Sequence, residues 1–250
     1  MKSIILCEGG TDLTLIQYFM EKANNWQYNK QVKLFKLKQA KQLKNNENIL
    51  IIGATGGCSE IPKYFSDILE SNRYSSISEE IYNNIVIITD RDEVGSFDEL
   101  KDKILEKLSL NGIEIEKDIK NNNWIKCSCL DGKMDLIHFN ILLLVIPFEE
   151  NGALETFLLN AISKNDDYDK EIIDKGNSFV EEIDPEKRYL NRRRYLTKAK
   201  FDVYFSVRTS AEQFTERQNI LRNINWEEYE EIQESFKKLK ELNNIKILNL

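Results

Sequence analysis

The chain has 250 residues, with 35 Lys+Arg against 42 Asp+Glu and a formal charge of -7, which suits one large domain and excludes a generically basic nucleic-acid coat. Its 41% hydrophobic, 10% aromatic and 31% charged fractions are those of a soluble globular protein with a sizeable core, and they exclude wholesale disorder. Four scattered cysteines, Cys7, Cys58, Cys127 and Cys129, rule out a disulfide framework, and the C-x-C of the last two speaks against zinc. A reducing cytoplasm is the expected setting.

Residues 3–7 form a short apolar run, too short for a signal peptide, that ends at Glu8-Gly9-Gly10. Leu13, Ile16, Phe19 and Met20 follow at helical spacing, so the stretch predicts strand, turn and helix. Residues 48–52 repeat this grammar, with a glycine turn over 53–57 and an amphipathic segment over 60–69. Residues 84–89 repeat it again, leading through Asp90-Arg91-Asp92 into a helix over 97–108. Such alternation implies a parallel sheet with helices on both faces. Residues 113–119 and 124–130 predict two strands joined by a polar turn, and 141–148 a buried strand. The apolar run 136–148 is interrupted by His138 and Asn140 and is shorter than the ~18 residues of a membrane span. Gly152 opens a helix over 153–162. Residues 166–185 are acidic and polar and read as an exposed loop or short helices; 201–207, 211–221 and 229–242 read as helical. The expected fold is α/β, with a Rossmann-like parallel-sheet core over residues 1–162 and a mainly helical extension over 163–250 packed on it as one compact unit.

In an open parallel sheet, ligands bind beyond the carboxyl ends of the strands. Three strand ends here deliver acids: Glu8 and Asp12, then Asp90 and Asp92, then Glu149, Glu150 and Glu155. If the strands are neighbours the acids share a cleft, and crowded carboxylates call for a hard divalent cation such as Mg²⁺. Each acid alone is equally well read as a helix cap. The D-x-D at 90–92 also fits the haloacid-dehalogenase phosphatases, whose first Asp is a nucleophile, but their motif lies on the first strand. Glycosyltransferases use D-x-D too, and leave the N-terminal acids unexplained.

Glu8-Gly9-Gly10-Thr11-Asp12 after the first strand, with Asp90-x-Asp92 after a later one, resembles the Toprim domain of topoisomerases, primases and related nucleases. Pro147, Gly152-Ala-Leu-Glu155 and Lys198-Ala-Lys200 are similar to motifs of the OLD (overcoming lysogenization defect) nucleases and their small stand-alone relatives. The resemblance implies a Toprim fold and a Mg²⁺- or Mn²⁺-dependent endonuclease for DNA or RNA, in bacterial phage defence or nucleic-acid processing. It implies that Glu8, Asp90 and Asp92 hold one ion, that Asp12 and Glu155 complete that shell or help bind a second, and that Lys198 or Lys200 enters the active site. No P-loop sequence occurs in the chain, so an ATPase partner, if used, is a separate molecule; self-association stays open.

Two basic stretches could grip a phosphate backbone. Residues 187–200 hold seven basic residues, among them Arg192, Arg193, Arg194, Lys198 and Lys200, with Tyr189 and Tyr195 interleaved for stacking. Residues 30–44 hold six lysines; neither stretch contains an acid. A solvated charged face is the commoner meaning of either. His138, the one histidine, reads as a core or edge residue, and the cysteines as small apolar fillers. The alternative to an enzyme is a non-catalytic Toprim-like module that binds nucleic acid or protein.

Overall fold

The computed structural model describes residues 1–75, 80–91, 95–148, 152–209, 221–222 and 224–243. Eight strands form one sheet: β1 (Lys2–Cys7), β2 (Gln27–Gln31), β3 (Gln39–Asn45), β4 (Asn48–Ala54), β5 (Asn84–Asp90), β6 (Glu114–Ile115), β7 (Trp124–Leu130) and β8 (Leu136–Ile146). Their order is β2-β3-β4-β1-β5-β8-β7-β6. The four central strands β4, β1, β5 and β8 are mutually parallel, and the outer strands add antiparallel on each side. The sequence accounts for this division. Continuous apolar runs such as Ile4 to Cys7 and Ile85 to Ile88 are covered on both faces, as parallel strands require, whereas β7 alternates buried Ile125, Cys127 and Cys129 with more exposed neighbours.

Side chains alternate between two cores. Ile5, Cys7, Val86, Ile88, Leu142 and Leu144 face the helices α1 (Gly10–Asn24), α4 (Leu154–Asn165), α5 (Asp167–Glu182) and α6 (Arg193–Arg208). Ile4, Leu6, Ile85, Ile87 and Leu143 face α2 (Ile61–Tyr74) and α3 (Ser96–Leu110). The C-terminal residues Trp226, Phe236, Leu239 and Leu242 join the first core, where Phe236 stacks on Phe19 of α1 at 4.9 Å. An α/β sheet with helices on both faces and a helical C-terminal part is therefore the observed architecture.

Four segments differ from the sequence reading; of residues 113–119, expected as a strand, only Glu114–Ile115 is one. Residues 166–185, expected as loop or short helices, are mostly the sixteen-residue α5, capped by Asp166 accepting from the Asp169 N–H at 2.9 Å. Its apolar side is only Ile172, Ile173, Gly176 and Val180, and Gly176 lets Val203 of α6 approach closely. Residues 30–44, read only as a charge cluster, contribute to β2 and β3; β2 is exposed along its whole length, so it carries no apolar alternation to betray it. The helix expected over 229–242 is instead two short helices, Glu230–Ser235 and Lys237–Lys240, with a final 3₁₀ turn. Most of the helix expected over 211–221 lies outside the described residues. Among the described residues, no helix is long and apolar enough to cross a membrane.

Candidate functional site

β1 and β5 are neighbours in register, Leu6 against Ile87, so the residues that follow them emerge side by side at the carboxyl end of the sheet. Glu8 leaves β1 and turns towards β5. Its Oε1 accepts from the Thr89 hydroxyl in a very short contact and from the Asp90 backbone N–H at 3.1 Å. Asp90, last residue of β5, pairs with Ile146 of β8, and its Oδ1 accepts the Leu154 N–H at 2.9 Å, tying it to the first turn of α4. The neighbouring Arg91 fastens the same corner: its Nε donates to the Pro147 carbonyl at 2.8 Å, and its backbone pairs with Gly152.

Asp12 is at the third position of α1, where its Oδ2 accepts the Gly9 N–H at 2.7 Å, the helix-start arrangement that its sequence position suggests. Burial is the main reason that its carboxyl is raised from 3.8 to about 7; the Gly9 hydrogen bond pulls the other way, and the negative charges of Glu8 and Glu155 add to the rise. Lys198 lowers it in part. These couplings put Glu8, Glu155 and Lys198 each within electrostatic reach of Asp12. Glu155, in the first turn of α4, is only 5% exposed. Lys198 comes from α6, which packs on α4 and α5.

The choice between the two lysines is a matter of helical phase. Two residues apart on a helix means roughly 200° of rotation. Lys200 lies against α5, where its ammonium meets Glu181 at 2.5 Å, and Lys198 is the one coupled to Asp12. Arg192, Arg193 and Arg194 are exposed at the N-terminal end of α6, with Arg192 over the Tyr195 ring at 5.7 Å. Asp92, Glu149 and Glu150 lie outside the described residues. Among the described residues, no group of three or more His, Cys, Asp or Glu side chains is arranged so as to hold a metal ion.

Other residues take structural parts. His138 opposes Ser128 on β8, eight residues before Ile146 and so at the far end of the strand from Asp90. Cys7 is buried, its thiol pushed well up, first by burial, then by Asp12 and Glu8, and its Sγ lies 3.5 Å from the Gly53 carbonyl. Thr89 is the residue that sequence reading passed over. Its one signal is a hydroxyl interrupting an apolar run directly before Asp90. Cys58, exposed, lies 3.5 Å from that hydroxyl.

A family model described as "Protein of unknown function (DUF3226)" matches residues 2–242. No curated protein matches the chain. Among solved structures, a hypothetical protein from Pyrococcus horikoshii OT3 is 16% identical and superposes with a TM-score of 0.52, over 97% of this chain and 99% of that one. At that identity the likeness speaks for the fold alone. A glyoxalase/bleomycin resistance protein/dioxygenase family enzyme from Burkholderia phytofirmans PsJN, 13% identical over 57% of this chain and 97% of its own, has a TM-score of 0.19, which carries no argument.

Proposed function

We propose a function for this chain, which belongs to DUF3226, a family of proteins of unknown function: it is a metal-dependent, Toprim-like nuclease that hydrolyses phosphodiester bonds in DNA or RNA. The observation that carries the reading is the gathering of Glu8, Asp12, Glu155 and Lys198 beside Asp90 at the carboxyl end of the sheet. The donor set fits a hard cation in kind. It offers oxygens only, and burial, with the charges of Glu8 and Glu155 adding to it, keeps the Asp12 proton on to about 7, a penalty that a cation relieves. Glu8 and Asp90, with Asp12 and Glu155, would hold one or two Mg²⁺ or Mn²⁺ ions. Bound there, such ions supply an activated water and neutralise a leaving oxygen.

The chain's own groups do the rest. Thr89 and the Asp90 N–H fix the Glu8 carboxylate, and the Leu154 N–H fixes Asp90, so the acids are preorganised. Lys198 offsets the charge of the scissile phosphate. Arg192, Arg193 and Arg194 hold the flanking backbone. Three arginines at a helix N-terminus oppose the helix dipole, and a phosphate backbone bound there would offset that repulsion. Lys200, paired with Glu181, makes a smaller contribution to binding than Lys198.

One observation favours a second reading, a Toprim-like module that binds without cleaving: no three-ligand metal group occurs among the described residues. The phosphatase reading has less support, because Asp90 ends the fifth strand of the chain and spends one oxygen on Leu154. The test is to incubate purified protein with Mg²⁺ or Mn²⁺ and labelled single-stranded DNA, duplex DNA and RNA, beside Glu8→Gln and Asp90→Asn. Metal-dependent cleavage lost in both variants is the expected result. Salt-sensitive binding without cleavage supports the binding module, and phosphate release from a small phosphoester supports the phosphatase.

A further inference from the structure

Residues 22–46 contain seven lysines and no acid, in a protein of charge -7. One of those lysines stands apart. β3 runs antiparallel to β4, so its first residue, Gln39, pairs with Ala54 at the carboxyl end of the sheet, and the Lys38 N–H donates to the Ala54 carbonyl at 3.2 Å. The turn after β4 is in turn fastened to the end of β1: the Thr55 N–H donates to Cys7 O at 2.9 Å and the Gly56 N–H to Glu8 O at 2.8 Å. Lys38 lies across that turn. A Cβ built on Gly56 would fall 2.5 Å from Lys38 Cε and 2.8 Å from Nζ, so the lysine stem rests directly on this glycine, whose φ of +100° a side chain would strain. On the next residue, the Gln39 Oε1 lies 3.2 Å from where a Cβ of Gly10 would be. Two consecutive polar side chains thus rest on glycines tied to Glu8: Gly56, whose N–H donates to the Glu8 carbonyl, and Gly10, two residues on.

The segment that presents them is built. Residues 31–40 surround a cavity of about 680 Å³. Leu34, Phe35 and Leu37 pack against the core on the α2/α3 face of the sheet, and Lys36 is held through its carbonyl by the Tyr64 hydroxyl at 3.2 Å. Phe35 and Lys36 both take left-handed backbone angles, φ 47° and 59°. Lys41, further along β3, is spent on Gln17 at 2.7 Å; the Lys38 ammonium has no hydrogen bond or ion pair among the described residues.

We propose that this segment is the second wall of the substrate cleft, and that Lys38 contacts a phosphate of the nucleic-acid backbone next to the one held at Glu8. The proposal rests on the nuclease reading and deepens it. Lys198 is coupled to Asp12 from α6, and Lys38 lies over the turn after β4, presented by a segment packed on the α2/α3 core, so the substrate strand would cross the end of the sheet from one to the other.

The test measures binding of labelled single-stranded DNA and RNA to the full chain over a salt series, with cleavage kinetics in Mn²⁺, for Lys38→Ala, Lys38→Arg and Lys44→Ala. Lys44 belongs to the same basic stretch but pairs with Ile49, at the other end of β3. Expected for Lys38→Ala are roughly three- to tenfold weaker binding near 0.15 M salt, a salt slope smaller by about one, and a raised KM with kcat within about twofold. Lys38→Arg should restore binding and Lys44→Ala should leave it unchanged. Wild-type affinity and slope in Lys38→Ala, with cleavage intact in the parent, overturn the role of Lys38 and spare the nuclease. A parent that neither binds nor cleaves DNA or RNA overturns both.

Discussion

The two ends of the central sheet bury polar side chains by opposite rules. At the amino ends the groups are neutral and satisfy one another: Asn140 donates to Asn84 at 2.9 Å, Asn84 donates to Ser3 at 3.0 Å, and Asn83 accepts the Lys2 N–H at 2.9 Å. At the carboxyl ends the groups are acids: Glu8 accepts from the Thr89 hydroxyl and the Asp90 N–H, Asp90 from the Leu154 N–H, and Asp12, raised to about 7 first by burial, is raised further by Glu8 and Glu155. A buried network that serves the fold closes its hydrogen bonds internally; one that brings like charges near each other costs stability, and such perturbed groups cluster at functional sites.

The sharpest way to break this contrast is to neutralise an acid. Glu8→Gln, isosteric and still able to accept from Thr89, should lower metal-dependent cleavage by about 100-fold or more while the melting temperature stays within a few degrees. The amino end should answer in the opposite manner. Asn84→Ala strands Asn140 and Ser3, and a loss of roughly 2–3 kcal/mol in urea unfolding is expected, with cleavage per folded molecule preserved.

Asp12 sharpens the comparison through pH. Its folded-state value of about 7 lies above the ordinary 3.8, so the folded protein keeps a proton that the unfolded chain releases. The group therefore lowers metal-free stability progressively as pH rises from about 4 to about 7, and by a constant amount above that. Asp12→Asn retains an acceptor for the Gly9 N–H, so in chelator it should stabilise the fold at pH 8 by about 1–2 kcal/mol and by little at pH 4. Thermal melts at the two pH values check the sign. The smallest effect is expected at Lys200→Ala, which removes a part-exposed pair with Glu181 and should change stability by less than ~1 kcal/mol and leave kcat alone.

Much of this was legible in the sequence, and the legible part has a physical reason. Apolar runs with no polar alternation announced the parallel strands, and an acid after such a run is necessarily at the ligand-binding end of the sheet, as Glu8 and Asp90 are. Asp12 and Glu155 were readable from their place in the first turn of a helix that follows a strand. What failed to show was whatever depends on packing between distant segments. α5 hides its four apolar positions among acids, β2 is exposed throughout, and nothing local separates Lys198 from Lys200, since only the docking of α6 decides which of the two turns towards Asp12.

On the proposed function, the carboxyl-end acids await a cation. Calorimetric titration of chelator-treated protein with Mn²⁺ at pH 8, for the parent and for Glu8→Gln and Asp90→Asn, tests it most directly. Saturable binding of one or two ions is expected in the parent, lost or weakened at least about tenfold in each variant. Absence of binding in the parent, or equal binding in all three proteins, contradicts it.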